Sequence, residues 1–249
     1  SSTSRPILNL KNNMTLHAPT HKAKLLQILK DIYSDPAVGQ FLGFKGGTAA
    51  YLFYDLGRFS VDLDFDLLDE TKENAVFDRV KEILAQYGTV KVAQKKRYSL
   101  VYLLSYADKV EGAQNVKVEI NRRNFGSKYE VKPYLGISMK VMTQPDMAAH
   151  KLVAMYERMS RTNRDIFDVW FFLKNDWPIN DEIITLRTKL SFKEFLEKCV
   201  AALEKMSDQN ILHGMGELLT EKQKAWVKAH LKKETIFLLK LRADVFKKK

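Results

Sequence analysis

Apolar and polar positions follow different patterns in the two halves of the chain. Spacings of three and four residues predict helices at 21–33 and 72–87, whereas alternation and short apolar runs are typical of strands. The predicted strands span residues 41–44, 60–68, 89–93, 98–106 and 115–121. From Pro145 to Val245 almost every segment has helical spacing. The pattern therefore predicts an α/β half followed by an α-helical half.

The change of pattern near residue 140 predicts two domains. Residues 1–140 would form the α/β domain, and residues 141–249 would form a helical domain. The first 20 residues are polar, carry Pro6 and Pro19, and are predicted to form an arm.

Composition narrows the class of protein. The 249 residues are 45% hydrophobic and 29% charged, which excludes a mostly disordered chain, a collagen and a coiled-coil rod. The single cysteine, Cys199, excludes an internal disulfide and a cysteine-based metal site, and it fits a reducing compartment. Uncharged apolar runs fall short of the roughly 18 residues of a membrane span. We therefore expect a cytoplasmic protein with no membrane partner.

The charge balance indicates a polyanionic partner. Lys and Arg total 41 against 30 Asp and Glu, a net charge of +11, which favours nucleic acid, although a solubilising surface explains it equally well. Basic clusters occur at 95–97, 122–123, 222–233 and 247–249. Carboxylates cluster instead between Asp62 and Glu70. Such a cluster in a basic protein suggests a metal site that faces phosphates.

The first candidate motif is Lys45-Gly46-Gly47-Thr48, between a predicted strand and a predicted helix. A glycine pair lets the backbone approach a ligand closely, and a helix start presents N–H groups to an anion such as phosphate. An ordinary turn before a helix has the same sequence pattern, so the motif alone decides nothing.

The second motif is Asp62-Leu63-Asp64-Phe65-Asp66. On a strand, Asp62 and Asp64 share one face with their side-chain roots about 7 Å apart, which suits a two-metal site. The alternative is a solvated strand face, but crowded like charges weaken a sheet unless a cation compensates them. Asp66 continues the same face and is expected to be a neighbour.

Other residues are weaker candidates. Glu119, on the alternating strand at 116–120, would add a third carboxylate or be an ordinary exposed residue. Lys151 and Arg158 are two helical turns apart on one face, as surface ion-pair residues also are. The histidines share no metal-ligand spacing and are predicted to be structural or exposed. They are His17, His21, His150, His213 and His230. The aromatic segment at 170–177 is expected in the core, with a base-stacking platform as the alternative.

Two stretches give a family resemblance. The segment from Lys45 to Ala50, followed by Arg58 to Phe65, resembles the nucleotidyltransferase toxins of the AbiEii/AbiGii family. The segment from Lys151 to Asp168 is similar to the second signature of that family, so the resemblance covers about residues 40–175. It implies the DNA polymerase β-like nucleotidyltransferase fold, with a mixed sheet and helices. It also implies the toxin half of a bacterial toxin–antitoxin or phage-defence pair, with an antitoxin as partner.

The resemblance also implies roles for single residues. Gly46, Gly47 and Thr48 after Lys45 would hold the triphosphate, and Arg58 and Ser60 would bind phosphate oxygens or brace the loop. Asp62 and Asp64 would bind Mg²⁺ or Mn²⁺, with Glu119 as the third ligand. Lys151, from the helical half, would neutralise phosphate charge, and Asp165 or Asp168 would orient Lys151 or Arg164. Arg122 and Arg123 follow the Glu119 strand and are predicted to bind RNA.

The predicted activity is transfer of a nucleoside monophosphate from an NTP to an RNA, for which the family favours tRNA, so that translation is blocked. A protein or small-molecule hydroxyl as acceptor is the first alternative. The second alternative is a binding module that keeps this fold without catalysis.

Overall fold

A seven-stranded mixed sheet forms the first part of the computed structural model, which describes residues 18–108 and 112–245. The strands run in the order β3-β4-β5-β2-β1-β7-β6. Strand β2 pairs in parallel with β5, and β1 pairs in parallel with β7, whereas the other neighbours are antiparallel. The strands are β1 (Leu42–Lys45), β2 (Leu63–Leu67), β3 (Thr89–Lys95), β4 (Ser99–Asp108), β5 (Gly112–Asn121), β6 (Tyr129–Tyr134) and β7 (Ile137–Met142).

Helices flank the sheet and make up the part of the chain after β7. Pro145 lies in the first turn of α4, where its missing N–H leaves no intrahelical bond unmade. A π-helical turn at Val227–Leu231 joins α8 to α9. The helices are α1 (Ala18–Ser34), α2 (Gly46–Phe53), α3 (Glu73–Ala85), α4 (Gln144–Arg158), α5 (Arg164–Lys174), α6 (Asp181–Thr188), α7 (Phe192–Lys205), α8 (Glu221–Trp226) and α9 (Lys232–Val245).

The alternation in β2 turns its apolar side chains into the core. Leu63 and Phe65 are fully buried, and the Phe65 ring lies 5.3 Å from that of Phe44 on β1. Burial of each such side chain contributes roughly 1.5–3 kcal/mol. The same burial fixes the register, because a slip by one residue would turn the aspartates into the core.

The predicted fold class is confirmed, with local differences. Strand β2 begins at Leu63 rather than at residue 60, because β1 ends opposite Asp64 and the chain then turns into α2. Before Leu63, side chains hold the backbone instead: His21 bonds to the Val61 carbonyl, and Thr48 donates to the Asp62 carbonyl. The sequence did not predict β6 or β7. The predicted arm of 20 residues is too long, because α1 begins at Ala18. Residues 1–17, with His17, and the lysines at 247–249 lie outside the described residues.

The sheet ends at Met142, and the chain after it is helical through Val245. The division into two domains at residue 140 stays a prediction. Among the helices described, none combines the length and apolar character needed to cross a membrane.

Candidate active site

A cleft of about 300 Å³ brings most of the predicted site together. Residues from β1, β2 and β5 and from helices α4 and α6 line it. The predicted residues in the lining are Lys45, Gly46, Gly47, Arg58, Ser60, Asp62, Asp64, Glu119, Arg123 and Lys151. Thr48, Asp165 and Arg122 are not among the residues that line it.

The glycine turn lies against the aspartate strand with no room for side chains. A Cβ atom at Gly46, whose φ is +80°, would lie 2.4 Å from Asp64 Oδ2. A Cβ atom at Gly47 would lie 2.8 Å from Ser60 Oγ and 2.9 Å from an Arg58 guanidinium nitrogen. Gly46 is therefore restricted to glycine by space and by backbone conformation, whereas a side chain at Gly47 would displace Ser60 or Arg58.

Thr48 ties this turn to the residues before β2. Its hydroxyl lies 2.9 Å from Ser60 Oγ and also contacts the Asp62 carbonyl. Thr48 is buried, so it braces the turn from behind. Lys45, at the start of α2, makes no side-chain capping bond there, which leaves the helix N-terminus without a side-chain cap.

Asp62 and Asp64 form a close pair of carboxylates. Burial, and then the negative charge of Asp62, raise the pKa of Asp64. Lys151, Arg164 and Lys45 act in the opposite direction. Arg164 reaches Asp62 directly, with 3.2 Å between Nη1 and Oδ2. A further cation placed between these two carboxylates would stabilise their negative charges.

Asp66 has its oxygens occupied by the protein. Lys45 Nζ lies 2.5 Å from Oδ1, Asn121 donates to the same oxygen over 2.6 Å, and Tyr129 donates to Oδ2 over 2.5 Å. The proximity of Asp66, after burial, raises the pKa of the Tyr129 hydroxyl. Asp66 is therefore an anchor that positions Lys45.

Lys151 is held between two buried carboxylates of α5. Its Nζ lies 2.9 Å from Asp165 Oδ1 and 2.8 Å from Asp168 Oδ2. Asp168 also accepts two hydrogen bonds from Arg58, over 2.6 and 2.7 Å. Although burial opposes it, Arg58 and Lys151 hold the pKa of Asp168 well below its usual range. Both aspartates orient Lys151. The N–H groups of Arg58 donate to Asp168 and to the Phe59 carbonyl, which agrees with a residue that braces the loop.

Glu119 lies beside Asp64, since the two residues are register partners on β5 and β2. Its carboxylate binds Lys117, which lowers its pKa although burial opposes the shift. Across the described ranges, no three His, Cys, Asp or Glu side chains come together as a ready metal site. Glu119 as third metal ligand stays a prediction.

The two arginines predicted to bind RNA lie in different surroundings. Arg122 is engaged, with 2.5 Å to Glu73 and a 2.8 Å bond to the Arg97 carbonyl. Arg123 is exposed and lines the cleft, with its guanidinium 5.3 Å from the Tyr98 and Phe125 ring centroids.

Sequence reasoning missed His150 and Arg187. His150 is half-buried in the cleft wall, 2.8 Å from Ser127 Oγ and 3.1 Å from Arg187 Nη1. Because arginine only donates, Nδ1 of His150 accepts and Nε2 carries the proton toward Ser127. Burial and the charges of Lys45 and Arg187 lower the pKa of His150 to about 3, so the ring is neutral at physiological pH. Adjacent residues on a helix do not face each other, so the position of His150 next to Lys151 was no signal, and Arg187 offered none either.

Solved structures share this fold. A candidate nucleotidyltransferase from H. pylori has a TM-score of 0.61 at 20% identity, over 93% of this chain and 96% of that one. MenT4, a nucleotidyltransferase toxin from Mycobacterium tuberculosis H37Rv, has a TM-score of 0.61 at 18% identity, over 91% of this chain and 85% of that one. At identities this low, the likeness shows the fold alone. No curated protein matches the chain in sequence.

A family model decides the identity. The model described as the nucleotidyl transferase AbiEii toxin of a type IV toxin–antitoxin system matches residues 27–236, most of the chain. Membership implies a cognate antitoxin as partner. The chain therefore belongs to the AbiEii family of nucleotidyltransferase toxins.

Proposed function

We propose that this toxin transfers a nucleoside monophosphate from an NTP to a hydroxyl of an RNA, with tRNA as the favoured acceptor. The observation that carries the proposal is the contact between the glycine turn and Asp64. The backbone N–H groups of the turn would bind a triphosphate next to the paired carboxylates of Asp62 and Asp64.

A divalent cation, Mg²⁺ or Mn²⁺, fits Asp62 and Asp64. The pKa of Asp64 is raised because its negative charge is buried beside that of Asp62, and a cation would offset this repulsion. Carboxylate oxygens are ligands that these ions prefer. Glu119, beside Asp64 in the sheet, is the candidate third ligand. When bound, the ion would neutralise phosphate charge and activate the acceptor hydroxyl.

The chain's own residues would position the nucleotide. Gly46 and Gly47 let the turn pack closely on Asp64 and Ser60, and the backbone N–H groups at the start of α2 would bind the phosphates. Lys151 would offset charge on the leaving phosphates, because Asp165 and Asp168 fix its ammonium group in the cleft wall. The acceptor oxygen bonds to the α-phosphorus, and pyrophosphate and the hydroxyl proton are released. Catalysis of this kind rests on positioning and on charge stabilisation.

An RNA acceptor agrees with the net charge of +11, which exceeds what one nucleotide site requires. The test incubates the protein with total RNA, Mg²⁺ and each of four α-labelled NTPs in turn. We expect label in RNA of tRNA size with a subset of the NTPs. Label in protein or in small molecules would contradict the RNA acceptor. The absence of any labelled product, with RNA still bound, would favour a non-catalytic binding module.

A further inference from the structure

Four ring contacts connect five side chains into a continuous row beside the cleft. Guanidinium groups and aromatic rings alternate along it, in the order Arg97, Tyr98, Arg123, Phe125 and Arg187. The successive distances from guanidinium carbon to ring centroid are 4.9, 5.3, 5.3 and 5.4 Å. We call this row the arginine–aromatic ladder. Every member except Arg97 lines the cleft.

The ladder leads from solvent into the cleft. Tyr98, before β4, is 47% exposed, whereas the side chain of Arg187 on α6 is 9% exposed. Arg123 and Phe125 lie between them on the segment that joins β5 to β6. That segment is held at both ends, because Asn121 donates to the Arg123 carbonyl over 2.8 Å and Ser127 bonds to His150.

Positive charge along the ladder is only partly compensated. Arg187 pairs with Glu157 at 3.0 Å, whereas among the described residues no carboxylate forms an ion pair with Arg123. Burial, and then the charges of Arg123 and Arg158, lower the pKa of Arg187, although Glu157 opposes them. Arginines crowded in this way would be stabilised by an anion.

The structure assigns the ladder as the binding track for single-stranded nucleotides of the RNA acceptor next to its reacting hydroxyl, a role that rests on the proposed transfer to RNA. Arg123 and Arg187 take phosphates of the strand, while Tyr98 and Phe125 take bases by stacking. Alternating cations and rings suit single-stranded nucleic acid, since each base presents a face and each linkage a phosphate. Exposed cation–π contacts are weak, so an entering base can replace a guanidinium on a ring.

The NTP is the less suitable occupant of the ladder. The site proposed for its phosphates is the glycine turn with Lys151, and none of these residues belongs to the ladder. The ladder also extends outward to Tyr98, where a polymer must enter but a mononucleotide need not reach.

The test measures binding rather than transfer. A single-stranded RNA oligonucleotide with an unreactive 3′-deoxy end is titrated into the wild type and into Tyr98→Leu, Phe125→Leu and Arg123→Gln variants, at several salt concentrations. An α,β-methylene NTP analogue is titrated in parallel. The matched controls are Phe237→Leu and Arg242→Gln on α9, since neither residue lines the cleft.

We expect each aromatic variant to weaken RNA binding by about tenfold or more, and Arg123→Gln to lower the salt slope by about 0.7. The NTP analogue and both controls should keep wild-type values. Tyr98 is exposed, so its replacement should not disturb the fold. Unchanged RNA affinity in Tyr98→Leu would overturn the assignment, as would a loss of NTP affinity equal to the loss of RNA affinity. If wild-type protein bound no RNA, the proposed RNA acceptor would fall with it. If the wild type bound RNA and the ladder variants did too, only the ladder assignment would fall.

Discussion

The guanidinium of Arg58 and the carboxylate of Asp168 meet through two hydrogen bonds of 2.6 and 2.7 Å, in a fully buried position. This pair joins the segment that supports the glycine turn to the helix that orients Lys151. Two predicted site elements, far apart in the sequence, are therefore locked together by one ion pair.

Removal of one partner of this pair should be strongly destabilising. In Asp168→Asn, the buried Arg58 loses its compensating charge, and we expect a loss of about 3–5 kcal/mol in the free energy of unfolding. Urea denaturation measures it. The control is Asp176→Asn, whose exposed pairing with Arg242 should matter by less than about 1 kcal/mol. Similar losses in the two variants would contradict the role given to the buried pair.

Asp62→Ala and Asp64→Ala should abolish transfer and leave the fold intact. Each change removes a carboxylate that would ligate the metal in the cleft, without opening a cavity in the core. Circular dichroism and the labelling assay report the two effects. Asp66→Ala should behave differently, because it strands Lys45, Asn121 and Tyr129 and so lowers the melting temperature. Wild-type transfer by Asp64→Ala would end the two-carboxylate interpretation.

Gly47→Ala should block nucleotide binding. The added methyl group would lie within 2.9 Å of both Ser60 Oγ and the Arg58 guanidinium, so the turn or these side chains must shift, and Arg58 is held in place by Asp168. The change is measured by the affinity for an NTP analogue. Gly216→Ala is the matched control, since Gly216, like Gly47, has no positive φ and a Cβ atom there meets nothing within 4 Å. Equal NTP affinity in Gly47→Ala and the wild type would show that the turn does not hold the triphosphate.

His150 should make the fold sensitive to acid. Its pKa is lowered from 6.5 to about 3, so between these values the unfolded chain binds a proton that the folded chain does not. Stability therefore falls as the pH drops through this range, by at most about 1.4 kcal/mol per pH unit from this group. His150→Gln should lose less stability than the wild type between pH 6.5 and pH 4 in urea titrations. Parallel curves for the two proteins would contradict a neutral His150 in the folded protein.

The sequence allowed good prediction where local pattern determines structure. Alternation around Asp62 and Asp64 predicted the strand, and the parallel pairing of β2 with β5 then placed Glu119 beside Asp64. Strand β7 was overlooked although Ile137, Met139 and Val141 alternate into the core. Strand β6 gave little signal, since it is an edge strand with Val131 exposed and a proline within it.

Long-range convergence was the part that local pattern could not predict. Arg164 pairs with Asp62, and not with Asp168 four residues along α5, because the cleft carboxylate lies within its reach. Arg187 enters the cleft from α6 only because that helix packs beside α4. Neither contact has a spacing rule that could be applied to a single sequence.

The central claim is nucleotidyl transfer to RNA, and the most direct test compares two positions of the label in the NTP. RNA is incubated with the wild-type protein and either α-labelled or γ-labelled NTP, with Asp64→Ala as the inactive control. The account predicts that the α-label becomes attached to RNA while the γ-label leaves in pyrophosphate, and that Asp64→Ala transfers neither. Attachment of the γ-label to RNA, or labelling by Asp64→Ala at the wild-type rate, would contradict it.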